Sequence, residues 1–192
     1  KVLRRSIYSF YSKKKIEKII KLTSPDVAHL NNIHSHISPS IIDTLYNNNV
    51  PIVWTLHDFE LICPNIHFLR DGKICEDCKP KKYYMATINR CKKNSLLASL
   101  LTSIKSYAHL SLNIQKKISY FICPSDFMYK KFIDFGWSKE KLVVLKNFIK
   151  SNNYDKKKKF NDYILFFGGL NDWKGVNTLL RTAKIIPKIK IK

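Results

Sequence analysis

The chain has 192 residues, 45% of them hydrophobic, and its three Trp, ten Tyr and eleven Phe are enough to build a buried core, which excludes a disordered polymer. No run of eighteen apolar residues is free of charge, so a membrane span is excluded and a cytoplasmic protein is expected. The formal net charge of +21 comes from thirty Lys and only five Arg, and a Lys excess speaks less for specific nucleic-acid recognition than the bidentate fork of Arg would.

The first segment, KVLRRSIYSFYSKKKIEKIIKL, carries eight basic residues and no signal-peptide pattern. Leu3, Ile7, Phe10, Tyr11, Ile16, Ile19 and Ile20 recur at near-helical spacing. The segment reads as a surface helix packed on a sheet or, alternatively, as a basic amphipathic helix in peripheral contact with the anionic inner face of a membrane.

DVAHL, 26–30, is a short apolar run, SPSIIDTLYNNN a helix and VPIVWTL, 50–56, a second apolar run. Ser38 is a good N-cap, Pro39 suits the first helical position, and Asn47 to Asn49 end the helix. Apolar runs of this kind predict parallel strands covered on both faces, with ligands beyond their carboxyl ends. His29 is expected at the end of the first strand and His57 with Asp58 at the end of the second, on one rim of the sheet.

Four of the five cysteines, Cys63, Cys75, Cys78 and Cys91, follow a C-x11-C-x2-C-x12-C pattern within a Lys-rich loop, 60–92. An odd number of cysteines without a secretion signal argues against disulfides. The spacing suits a closed, structural zinc site, and the alternative is free thiols in a reducing compartment.

NSLLASLLTSIKSYAHLSLNIQKKIS, 94–119, predicts one long amphipathic helix or two. YFICPS then gives a strand, Ser125 caps a helix through Phe135, Gly136 stops it, and KLVVLKN is the next strand. Residues 150–162, KSNNYDKKKKFND, read as a linker. Beyond them YILFFGGLNDWKGVNTLLRTAKIIP predicts a strand, a glycine turn and a helix, and IKIK another strand. The turn is neither a Walker A loop nor a dinucleotide fingerprint, but helix-terminal amides with Gly168, Gly169 and Lys174 suit a diphosphate.

TLHD at 55–58, CPS at 123–125 with VVLKNF after it, and FFGGLNDWKG occur in this order, and together they resemble the family 4 glycosyltransferases, especially bacterial members with a cysteine-containing loop after the His-Asp pair. The resemblance runs from about Asp26 to Pro187. It implies an α/β fold of GT-B type. Residues 1–149 would be an acceptor-side Rossmann-like domain, incomplete at its start, and 163–192 the beginning of a nucleotide-sugar-binding domain. It also implies a retaining transfer of sugar from a nucleotide donor to a glycan or lipid-linked acceptor in cell-envelope or exopolysaccharide synthesis, with no catalytic cofactor.

By resemblance, His57 is the catalytic histidine that contacts the transferred sugar. Lys174, with Gly168 and Gly169, would bind the donor diphosphate, and His29, Asn31 and Asp58 would line the acceptor side. Gly169 stands where the family commonly has an arginine. The family's glutamate-rich donor motif would fall after Lys192 and its first glycine loop before Lys1, so a fragment inactive on its own is expected. Two other classes stay open at this point: a basic zinc-stapled nucleic-acid-binding protein and a non-catalytic GT-B relic that scaffolds a partner.

Overall fold

The computed structural model describes residues 8–34, 37–149, 163–170, 174–186, 188 and 190–192. The chain divides into two compact units, one ending at Phe148 and the other beginning at Ile149. The segment read as a linker lies outside the described residues.

In the first unit, Ala28–Asn31 (β1), Ile52–Thr55 (β2), Tyr120–Cys123 (β5) and Leu142–Val144 (β6) form one sheet in the order β1-β2-β5-β6, every pair parallel. Register places Leu30 beside Trp54, Trp54 beside Phe121 and Phe121 beside Leu142. These four side chains project to one face, and all are buried there. Burying Trp54 and Phe121 contributes on the order of 2–3 kcal/mol each in removed apolar surface.

The opposite face differs from the expectation of strands covered on both sides. His29, Asn31, Tyr120 and Val143 are exposed there, and Val53 and Ile122 are half-buried. Burial alternates along β1 and β5, and on β2 Thr55 is the buried exception on the open face.

Helix placement follows local chemistry. Phe10–Thr23 (α1) starts where Ser9 Oγ accepts from the Ser12 amide, and Ile16 and Ile20 lean on the core while Phe10, Tyr11 and Leu22 stay exposed. Ser40–Asn47 (α2) begins one residue later than Pro39, with Ser38 Oγ accepting from the amides of Ser40 and Ser9. Ile41, Ile42 and Leu45 are its buried stripe. Leu96–Ser111 (α4) and Ile114–Lys117 (α5) are separated at Asn113, whose φ of 51° breaks the helix. Asp126–Asp134 (α6) is capped by Ser125, whose Oγ accepts from the Met128 amide at 3.2 Å, and it stops before Gly136 at φ 83°. Met128 and Phe132 are its buried anchors.

Between β2 and α4 lies a hairpin, Leu69–Arg70 (β3) and Lys73–Ile74 (β4), and a short helix, Met85–Ile88 (α3). Asp71 and Gly72 both take positive φ, 51° and 74°, as a two-residue type I′ hairpin turn requires.

The second unit contains Tyr163–Ile164 (β7), Val176–Ile185 (α7) and Lys190–Ile191 (β8), with β7 and β8 paired in parallel. This is a strand, helix, strand crossover. Among the described residues no helix is long and apolar enough to cross a membrane.

Candidate active site

The carboxyl ends of β1 and β2 present a polar ladder on the open face of the sheet. Side chains alternate, so His29 and Asn31 share one side of β1. His29 pairs in register with Val53, and its Nε2 reaches Thr55 Oγ1, two residues further along β2, at 2.8 Å. Asn31 pairs in register with Thr55, and its Oδ1 lies 2.8 Å from Nε2 of His57, again two residues on. Asn31 Oδ1 can only accept, so His57 Nε2 carries the proton and Nδ1 is left for another partner. His29 sits inside β1 rather than at its end, and Asn31 is the residue at the rim.

The path into His57 is fixed. The Leu56 amide donates to Ile122 O at 2.9 Å, extending the ladder one residue beyond β2, and Leu56 itself is buried. Past His57, Asp58 Oδ1 accepts from the Glu60 amide at 2.9 Å. That turn carries Glu60 back beneath the rim.

There it meets residues that the sequence reading did not single out. Lys105 of α4 forms an ion pair with Glu60 and also donates to His34 O at 3.3 Å. His34 Nδ1 lies 3.9 Å from Glu60 Oε1, and the His34 ring packs 5.0 Å from Trp54 and 6.3 Å from His109. Burial lowers the pKa of His34, which outweighs the opposing pull of Glu60 and Asp58, and Lys105 lowers it further. His34 is therefore neutral at neutral pH. His34, Asp58 and Glu60 bring three ligand-type atoms within 4.8 Å of one another, but Lys105 already holds the cation position on Glu60. The short D-x-E spacing after His57 was the available signal; the Lys105 partner, 45 residues away, left none in the sequence.

A cavity of about 190 Å³ touches Glu60, Tyr83, His109 and Trp137, and its lining does not include Asn31, His57 or Asp58.

The four patterned cysteines do come together around one small cavity, shared with Asn65 and Asn89. All are free thiols, Cys63 and Cys78 buried, Cys75 and Cys91 half-buried. Burial and the neighbouring thiols push Cys78 up to about 12, and burial raises Cys63 and Cys91 as well. The fifth, Cys123, is fully buried in β5, and burial raises it to about 11.

In the second unit, Gly168 and Gly169 are exposed after β7, and a Cβ on Gly168 would rest 3.6 Å from the Phe166 ring. Lys174 is exposed and stands two residues ahead of α7 rather than in its first turn, with Gly175 at φ 76° between them. Among the described residues no side chain caps the α7 amides. Asn171 to Trp173, between the glycines and Lys174, lie outside the described residues.

The profile of Glycosyltransferase Family 4 matches residues 2–152. The chain belongs to this family. No curated protein and no solved structure matches it. The parallel four-stranded sheet with its helices is accordingly the Rossmann-like α/β fold of a GT-B glycosyltransferase domain. A sugar donor and an acceptor are the general partners of such an enzyme.

Proposed function

We propose that this protein is a retaining glycosyltransferase that takes a nucleotide-sugar as donor and a glycan or lipid-linked acceptor, working in cell-envelope or exopolysaccharide assembly at the inner face of the membrane. The observation that carries the reading is the His57 Nε2 to Asn31 Oδ1 hydrogen bond at the carboxyl rim of a parallel sheet in a family 4 chain. Ligands of parallel α/β sheets bind at that rim.

Transfer breaks the bond from the anomeric carbon to the diphosphate and forms one to an acceptor oxygen, whose proton must leave. His57, held by Asn31 with Nδ1 turned to other partners, is suited to orient the transferred sugar. His29, Asn31 and Asp58 supply hydrogen-bonding groups to the acceptor. Charge accumulates on the diphosphate as it departs; the exposed cation of Lys174 and the N-terminal amides of α7, with exposed Gly168 and Gly169 ahead of them in the chain, are suited to stabilise it. No catalytic metal is needed for these roles. Basic α1, with Lys13, Lys14, Lys15, Lys18 and Lys21 beside exposed Phe10, Tyr11 and Leu22, supports a peripheral contact with anionic lipid.

The test, made on the whole protein that contains this chain, is a panel of UDP-, GDP-, ADP- and TDP-sugars, followed by nucleotide release with Lys174→Ala alongside wild type. Release from one donor, suppressed in the variant, supports the reading and identifies the nucleotide. No release and no thermal stabilisation by any donor overturns it.

A further inference from the structure

We propose that Cys63, Cys75, Cys78 and Cys91 bind one structural zinc ion that staples the 60–94 excursion. Four of the five cysteines of the chain come from three separate places: the turn after His57, the exit of the β3–β4 hairpin, and the residues after α3. They nevertheless line a single cavity. Its volume is about 10 Å³, close to one water-sized sphere, so it suits one ion and no larger ligand. No carboxylate or imidazole lines it. An all-thiolate set is soft, and a set of four leaves no open coordination position, which is the donor chemistry of structural zinc.

The surrounding backbone already holds the pieces. The Cys75 amide donates to Phe68 O at 2.8 Å at the base of the hairpin, the Lys82 amide to Cys78 O at 2.8 Å, and the Cys91 amide to Ala86 O at 3.0 Å. Asp77 Oδ2 accepts from Arg70 and from Asn89, each at 2.8 Å, tying the hairpin, the Cys75–Cys78 turn and the end of α3 together.

What the segment lacks is a core of its own. Beside the cavity the buried cluster is Cys78, Tyr83 and Ala86, with only Met85 and Cys91 packed against it. Ile62, Cys63 and Phe68 of the segment join the main core, and the three buried side chains that form its own cluster offset little of the roughly 1–2 kcal/mol per residue that ordering a backbone costs. A metal supplies the missing free energy, as in small domains that fold only with zinc. Charge is complementary too: residues 60–94 carry eight Lys and Arg against four Asp and Glu, and a tetrathiolate centre with Zn²⁺ is a dianion.

The thiols line the cavity without yet converging. Among the described residues, the trio of ligand atoms within 4.8 Å of one another is His34, Asp58 and Glu60, not a cysteine set. Binding therefore draws the four sulfurs inwards. Each S–H gives its proton to solvent as a zinc–sulfur bond forms, with no change of oxidation state. The proposal stands apart from donor chemistry, because it predicts metal in the resting protein.

The experiment is elemental analysis of the whole protein purified without chelator, followed by cobalt substitution. The expected result is one zinc per chain, and on replacement an intense sulfur-to-cobalt charge-transfer band with tetrahedral d–d absorption. Cys75→Ser and Cys91→Ser should each lower the retained zinc at least tenfold, while Cys123→Ala should leave it unchanged. If the serine variants do not fold, the wild-type stoichiometry and cobalt spectrum still decide. Wild type free of metal, a disulfide among the four in freshly purified protein, or zinc retained undiminished by Cys75→Ser and Cys91→Ser would each overturn the proposal.

Discussion

Replacing Lys105 with methionine keeps most of the side-chain volume and removes one charge of the ion pair beneath the rim. Lys105 and Glu60 are only 15% and 16% exposed, whereas Lys146 and Asp126, 3.6 Å apart, are 74% and 67% exposed. Removing one partner of a fully buried pair costs about 3–5 kcal/mol; water still reaches Lys105, so Lys105→Met is expected to cost about 2–3 kcal/mol. Lys146→Met should cost no more than about 0.5 kcal/mol. Lys105 also lowers the pKa of His34, so its removal lets His34 protonate more readily beside Glu60. The loss should therefore be smaller at about pH 5.5 than at about pH 7.5, where His34 is neutral. Urea unfolding of both variants at both pH values, with Glu60→Gln and the double variant completing a cycle, measures this. The cycle should show a coupling of at least about 1 kcal/mol. Equal effects of Lys105→Met and Lys146→Met, or a coupling near zero, would refute the reasoning that burial makes this pair count.

His34 itself gives a pH dependence with a definite sign. Its folded pKa lies below the unfolded value of 6.5, so the unfolded chain takes up the proton first as pH falls. Stability should be full above 6.5 and decline as pH drops through the lower folded value, by at most about 1.4 kcal/mol per pH unit for one proton. His34→Gln should flatten that part of the profile in denaturant titrations. Ser125→Ala removes the side-chain acceptor for the Met128 amide and should cost about 1 kcal/mol, read as a lower urea midpoint with unchanged slope; a change below about 0.3 kcal/mol would show that the cap is replaced by water.

The elements with strong local signals were legible. Ser125 and Gly136 bracket α6 within a residue, the periodicity of 94–119 resolves into α4 and α5, and residues 163–192 contain a strand, helix, strand crossover. What depended on distant partners was not. The coverage of one sheet face rather than two is decided by where α2 and α6 place Ile42, Leu45 and Phe132, which no strand pattern encodes. His29 moved from the strand end to its interior because β1 starts two residues after Asp26. The pairing of Asn31 with His57 follows from parallel register, and the Glu60, Lys105 and His34 cluster from the turn at Asp58. The β3–β4 hairpin turns on the Asp71-Gly72 dipeptide, a local signal absent from the expected elements.

The central claim is that the His57 and Asn31 pair acts in sugar transfer. The most direct measurement, on the whole protein that contains this chain, is the transfer rate at saturating nucleotide-sugar for wild type, His57→Ala and Asn31→Ala, with donor affinity and far-UV circular dichroism beside it. His57 is exposed and outside the core, so both variants should fold normally. The account predicts a rate loss of about 10²-fold or more for His57→Ala and a smaller one for Asn31→Ala, with donor affinity little changed. A His57→Ala protein that transfers sugar at the wild-type rate would contradict it.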